Sequence, residues 1–108
     1  MKAIRIPSDD AQQIEVVEWQ TLADLQSLVG GYIETIPFVQ GVAPYFDEEG
    51  KLKGRPLNRR ATILMWQHHL PRTDAIVGDL VLCGQDERTG ESEDVPDTWV
   101  RALVPKEG

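Results

Sequence analysis

The sequence predicts a small α+β domain in which a small mixed or antiparallel sheet packs against two or three short helices. Three observations carry that expectation. Short stretches of alternating apolar and polar residues open the chain. A helical period with its own start and stop signals follows at Thr21 to Gly30, and a near-continuous apolar run occupies Ile76 to Cys83. The 108 residues fit one domain, 1–108, and 41% hydrophobic with 27% charged residues is a globular rather than a disordered composition.

Taken in order, Ile4 and Ile6 alternate with Lys2 and Arg5 as an opening strand. Ser8-Asp9-Asp10 reads as a turn into a second strand at Ile14 to Glu18, paired with the first as a hairpin. In Thr21 to Val29, Leu22, Leu25, Leu28 and Val29 share one helical face. Thr21 stands at the N-cap and Asp24 three residues on, where a capping-box acid belongs. Gly30 stops this helix, because glycine takes the left-handed conformation without a Cβ penalty. Gly31 lets the chain turn into a β-like segment, Tyr32 to Ile36. Extended character continues over Phe38 to Ala43 and Pro44 to Phe46, broken by Gly41. Asp47-Glu48-Glu49-Gly50-Lys51 is a polar turn suited to joining two strands or to an exposed loop tip.

A second helix is expected from Asn58 to Pro71, with Ala61, Leu64, Met65 and His68 or His69 on its buried face. Ile76 to Cys83 reads as the strongest strand, and its apolar second half predicts a central place in the sheet. Gln85 to Asp94 is acidic, polar and glycine-containing, the composition of a mobile surface loop. In Pro96 to Val104, a proline at the first helical position with Asp97 beside it favours a short closing helix, while the Val and Thr content leaves a strand open.

The formal net charge of -7 argues against a partner of extended duplex nucleic acid, whose affinity for proteins comes mainly from basic neutralisation of phosphates. No run approaches the roughly 18 apolar residues of a membrane span. Met1 to Pro7 lacks a signal-peptide hydrophobic region, so the expected location is the cytoplasm. Cys83 is the single cysteine and sits among apolar neighbours, which predicts a buried thiol. A core of this size is sufficient but not generous, and a homo-oligomer stays open.

Met1-Lys2-Ala3-Ile4-Arg5-Ile6, Leu28-Val29-Gly30-Gly31-Tyr32-Ile33-Glu34 and Asp47-Glu48-Glu49-Gly50-Lys51-Leu52 occur in that order. With Pro56-Leu57-Asn58, Ala61-Thr62 and Ile76-Val77-Gly78-Asp79 after them, the chain resembles the small family known as domain of unknown function 3846. The resemblance covers nearly all of residues 1–84, apart from the Val39 to Pro44 stretch, and fades over 85–108. It implies a one-domain fold. Such domains turn up largely in bacteriophages, prophages and mobile elements, so it also implies a phage-type provenance, with the host cytoplasm as setting. It implies no catalytic residue.

Two segments hold the candidate binding residues. Asn58 is a strong N-cap, and the free amides of a first helical turn favour anions. Arg55, Arg59 and Arg60 surround that start, with Thr62 one turn in. Arginines there oppose the helix dipole, so a phosphate or carboxylate gripped bidentately would explain them; pairing with surface acids such as Asp47, Glu48 and Glu49 is the alternative. In the other segment, a ligand could approach the backbone at Gly31, stack on Tyr32 and donate to Glu34. The alternative there is a helix stop and sharp turn, with Tyr32 packed in the core.

Other constellations are weaker. Adjacent His68 and His69 point roughly 100° apart on a helix and do not chelate one ion together, and no metal or cofactor is expected. Trp19, Trp66 and Trp99 read as core or interface anchors rather than a stacking platform. No residue context marks a nucleophile, which argues against an enzyme. The leading expectation is a phage-type accessory protein, a host-defence antagonist that sequesters a small anionic ligand such as a nucleotide or cyclic nucleotide signal without turnover. The alternatives are a module that binds and modulates a host enzyme and, least favoured, a small hydrolase.

Overall fold

Two β-hairpins and one strand that joins them account for most of the sheet. A computed structural model describes residues 1–106; the last two residues of the expected 1–108 domain lie outside the described residues. Strands β1 (Lys2–Ile6) and β2 (Glu15–Glu18) form the first hairpin, with Ala3 opposite Val17. Strands β3 (Ile33–Thr35) and β4 (Val42–Asp47) form the second. Strand β5 (Leu80–Gln85) lies between them, pairing with β1 along one edge and β4 along the other, and a two-residue β6 (Ser92–Glu93) pairs with its end. The order is β2-β1-β5-β4-β3 and each of these pairings is antiparallel, so the sheet is antiparallel rather than mixed.

Strand alternation sorts the core into two layers. Ile4, Ile6, Leu80 and Leu82 face α2 (Arg59–Trp66) and α3 (Asp97–Leu103), where Ala61, Met65 and Val95 join them. Ala3, Val81 and Cys83 face the opposite way, under Leu25 and Val29 of α1 (Leu22–Val29) and beside Trp19. Because both faces of β5 are covered, its apolar residues run on without polar interruption, as expected of a central strand. Each such aliphatic side chain removed from water contributes about 1.5–3 kcal/mol. Helix α1 links β2 at one edge of the sheet to β3 at the other, crossing the face that carries Val81 and Cys83.

The helix signals act locally as their chemistry requires. Thr21 Oγ1 accepts from the Asp24 amide at 3.2 Å, the Asp24 carboxylate accepts from the Thr21 and Gln20 amides, and Gly30 ends α1 at φ 86°. Helix α2 ends at Trp66, a turn before Pro71: the amides of His68 and Leu70 both fold back to the Met65 carbonyl, and His69 takes a left-handed φ of 77°. The two histidines therefore follow the helix instead of sharing its buried face. The C-terminal segment is a helix, with Pro96 as its N-cap and not its first helical residue.

Strand β5 starts four residues later than the apolar run. Ile76 spends its backbone on helix α2's start: its amide donates to Thr62 Oγ1 at 2.9 Å and its carbonyl accepts from the Asn58 amide at 2.8 Å. Gly78, at φ 74°, then turns the chain into the sheet. Likewise Phe38 to Gly41 stay outside β4, and the Asp47–Lys51 turn leads toward α2 rather than joining two strands. Within Gln85–Asp94 the structure places the end of β5, a turn closed on the Asp86 carboxylate, and β6. Among the described residues no helix is long and apolar enough to cross a membrane.

Candidate functional site

The residues singled out above fall into two groups with different roles, and the structure adds a third. The first centres on Asp47, at the end of β4. Its side chain is fully covered. Arg55 Nε donates to Asp47 Oδ2 at 2.8 Å, Lys53 Nζ donates to the same oxygen at 2.9 Å, and the Glu49 amide donates to Oδ1 at 2.9 Å. Burial by itself would push this carboxyl up; the hydrogen bonds from Lys53, the Glu49 amide and Arg55, with the Lys53 charge, overcome it and hold the group at about 2. Arg55 also donates through Nη2 to the Gly30 carbonyl at 2.7 Å, which satisfies an orphan acceptor at the end of α1.

That cluster accounts for both glycines. A Cβ on Gly31 would stand 2.7 Å from Asp47 Oδ1 and 2.7 Å from Lys53 Nζ, so the second glycine makes room for an internal ion pair. Arg55 is thereby committed to α1 and β4, and its stem crosses Gly78. Tyr32 is exposed rather than packed in the core, at 66%, and its carbonyl accepts from the Glu48 amide. Glu34 is exposed on β3 opposite Phe46 and lines a small cleft of about 150 Å³ with Leu52 and Asp74.

The second group is the start of α2. Asn58 is fully buried: Oδ1 caps the Ala61 amide at 3.0 Å, while Nδ2 donates to the carbonyls of Ile6 and Gly78 at 2.8 and 2.9 Å. Thr62 is buried and bonds both backbone groups of Ile76 through its hydroxyl. These two side chains tie α2 to β1 and to the segment entering β5. Arg60 donates to the carbonyls of Pro7 at 2.9 Å and Asp9 at 3.1 Å, clamping the β1–β2 turn. The Asp10 carboxylate lies 3.7 Å from Arg60 Nε and 3.6 Å from Arg59 Nη1. So the acid that meets Arg59 and Arg60 is Asp10 of the first turn, whereas Asp47 pairs with Arg55.

The third group was not singled out from sequence. Beside its buried residues Ala61 and Met65, α2 carries a second apolar side. Ile63 is 47% exposed and Leu57, just before the helix, 52%. With Trp66, Thr62 and Arg59 they line a groove of about 200 Å³. Arg59, Ile63 and Trp66 follow at steps of four and three, one ridge of a helix. Arg72 lies 5.3 Å from the Trp66 ring centre, and the Trp66 indole donates to the Asp74 carbonyl at 2.8 Å. The signal was present in the sequence: Leu57, Ile63 and Trp66 lie off the Ala61-Leu64-Met65 face, so the helix is apolar on more than one side.

The three tryptophans are dispersed. Trp19 is in the core beside Ala3, Trp66 edges the groove, and Trp99 packs with Phe38 and His68 at 5.3 and 6.1 Å between ring centres. A broad cleft of about 650 Å³ lies over Arg5, Glu15 and Gln12. Arg5 there meets Asp79 Oδ2 at 2.5 Å and Glu15 Oε1 at 3.4 Å, so two carboxylates already neutralise its charge. Cys83 is a free, buried thiol that burial pushes up to about 12, the opposite of an activated nucleophile. Among the described residues no three His, Cys, Asp or Glu side chains converge as a metal site would need.

The chain's match to a family model covers this whole arrangement. It belongs to the family described as a domain of unknown function (DUF3846), matched over residues 1–104, past the limit of residue 84 expected from the sequence motifs. The match thus takes in β6 and α3. No curated protein and no solved structure matches the chain.

Proposed function

We propose that this domain is a protein-interaction module of the cytoplasm, acting on a host protein if the chain is phage-encoded, and that its binding face is the outer side of α2. The observation that carries this reading is the apolar ridge of exposed Leu57 and Ile63 with half-buried Trp66, beside Arg59. A helix with an apolar face already buried in the core gains nothing in folding from a second one in water. Trp and Arg are also the side chains that most often dominate binding energy at interfaces. The double variant Leu57→Gln/Ile63→Gln, expressed with a tag in cells that naturally carry the chain, is expected to lose proteins that the wild type captures. A Leu52→Gln control, at an exposed leucine elsewhere, is expected to keep them. An identical captured set in the double variant would sink the proposal.

A second reading, sequestration of a small anionic ligand such as a nucleotide or cyclic nucleotide signal without turnover, has an observation of its own. The Asp10 carboxylate lies within 3.7 Å of both Arg59 and Arg60, so these two guanidinium groups already share one anionic group, which supports the reading. Melting the protein against a panel of such nucleotides tests it, with Asp10→Asn as the variant expected to respond more strongly. Intact ligand recovered after denaturation supports capture, and no shift in either protein removes the reading.

A further inference from the structure

We infer that the α2 groove receives a short amphipathic segment of a partner protein, with carboxylates beside its apolar side chains, one of which replaces Asp10 on Arg59. The inference rests on the protein-interaction reading and adds the chemistry of the partner.

Charge is the first argument. The chain as a whole carries -7, yet α2, Arg59-Arg60-Ala61-Thr62-Ile63-Leu64-Met65-Trp66, contains no acid. Arg59 lines the groove and Arg72 lies over Trp66 at its end, and among the described residues Arg72 forms no ion pair. A basic segment would be repelled by Arg59 and Arg72, and a second copy docking through the same face would set these arginines against their counterparts. A segment with carboxylates spaced along apolar residues meets complementary charge at both ends of the groove.

The state of Arg59 is the second argument. Its side chain is 70% exposed and its only ion pair among the described residues, to Asp10 Oδ2, spans 3.6 Å. A settled charge-assisted hydrogen bond is shorter, about 2.7–2.9 Å. By contrast Arg55 and Arg60 are held by shorter bonds to a carboxylate and to carbonyls. Arg59 is therefore the arginine of this region that a new carboxylate can take at small cost, with Asp10 released to solvent.

Size is the third. Three apolar side chains, two on the helix and Leu57 just before it, fall well short of the roughly 800 Å² per partner of a standard interface. A peptide-sized segment laid along the ridge matches them, in the manner of helix-in-groove recognition.

Three fluorescein-labelled peptides of one amphipathic Leu/Phe pattern, with Glu, Gln or Lys at the polar positions, supply the test by fluorescence anisotropy. The Glu peptide is expected to bind about threefold more tightly than the Gln peptide, and the Lys peptide more weakly than either. Arg59→Gln should erase the difference between Glu and Gln. Asp10→Asn should raise affinity for the Glu peptide roughly twofold and leave the Gln peptide unchanged; both substitutions are at exposed side chains, and melting temperatures confirm folding. Equal affinity for all three peptides, or no binding of the Glu peptide at millimolar concentration, overturns the inference. If proteins captured in cells still depend on Leu57 and Ile63 while the peptides do not discriminate, the interaction reading stands and only the partner's assigned chemistry falls.

Discussion

At the scale of single residues, Asp47 carries a covered charge on which the fold depends. Its carboxyl titrates near 2 in the folded chain against an ordinary 3.8, so the unfolded chain binds more protons between these values. The stability it supplies is full above about pH 4 and is lost as pH falls toward about pH 2, an amount on the order of 2 kcal/mol. Urea unfolding at a series of pH values should show that decline. Asp47→Asn should lower stability by roughly 2 kcal/mol at pH 7 and flatten most of the acid step. Asp74 is also held below its ordinary range, by the hydrogen bond from Lys51, and leaves a residual step. A decline of unchanged size in the variant would show that Asp47 is not its source. Gly31→Ala forces a methyl against the same carboxylate, and a cost of about 1–3 kcal/mol is expected from the crowding, read from the melting curve. Cys83 gives a simpler expectation. A chromogenic disulfide reagent at pH 8 should leave the native thiol unmodified and react only as the chain unfolds.

At the scale of elements, the capping signals were legible because they are local chemistry. Thr21 with Asp24, Gly30, and the side-chain oxygen of Asn58 each cap a helix within four residues of their position. The extent of β5 was not legible. Whether Ile76 continues a strand depends on Thr62 and Asn58, fourteen and eighteen residues away, and they claim its backbone first. The same distance effect reassigned the candidate arginines. A guanidinium near a helix start reads as an anion site in sequence, but the carbonyls of Pro7 and Asp9 that hold Arg60 lie about fifty residues back. Asn58→Ala tests how much rests on that start. Losing the cap costs about 1 kcal/mol, and leaving the carbonyls of Ile6 and Gly78 unsatisfied in the interior adds about 1–3 kcal/mol. A loss under 1 kcal/mol by urea denaturation would mean that these carbonyls find other partners.

At the scale of the whole molecule, antiparallel pairing and a central β5 place helices on both faces, a layered arrangement that short strands and short helices alone left open. The α2 ridge is a property of this scale as well: the sequence shows a second apolar side on the helix, and the packing of Ala61 and Met65 into the core leaves that side without a cover among the described residues. Leu57→Gln/Ile63→Gln should therefore change stability by no more than about 0.5 kcal/mol per site, the ordinary range for surface positions. A larger loss by urea denaturation would show that the ridge supports the fold itself.

The place of β5 between two hairpins also bears on the order in which the chain can assemble as it leaves the ribosome. Strand β1 emerges first, but its inner edge waits for Leu80 to Cys83, and β4 waits for the same residues. Until they are synthesised, the nascent protein can hold two separate hairpins, each with an unpaired edge, and a two-stranded ribbon is marginal in water. A chain stalled before Leu80 should remain sensitive to protease along its whole length, whereas one extended past Glu93 and clear of the exit tunnel should become resistant in a single step.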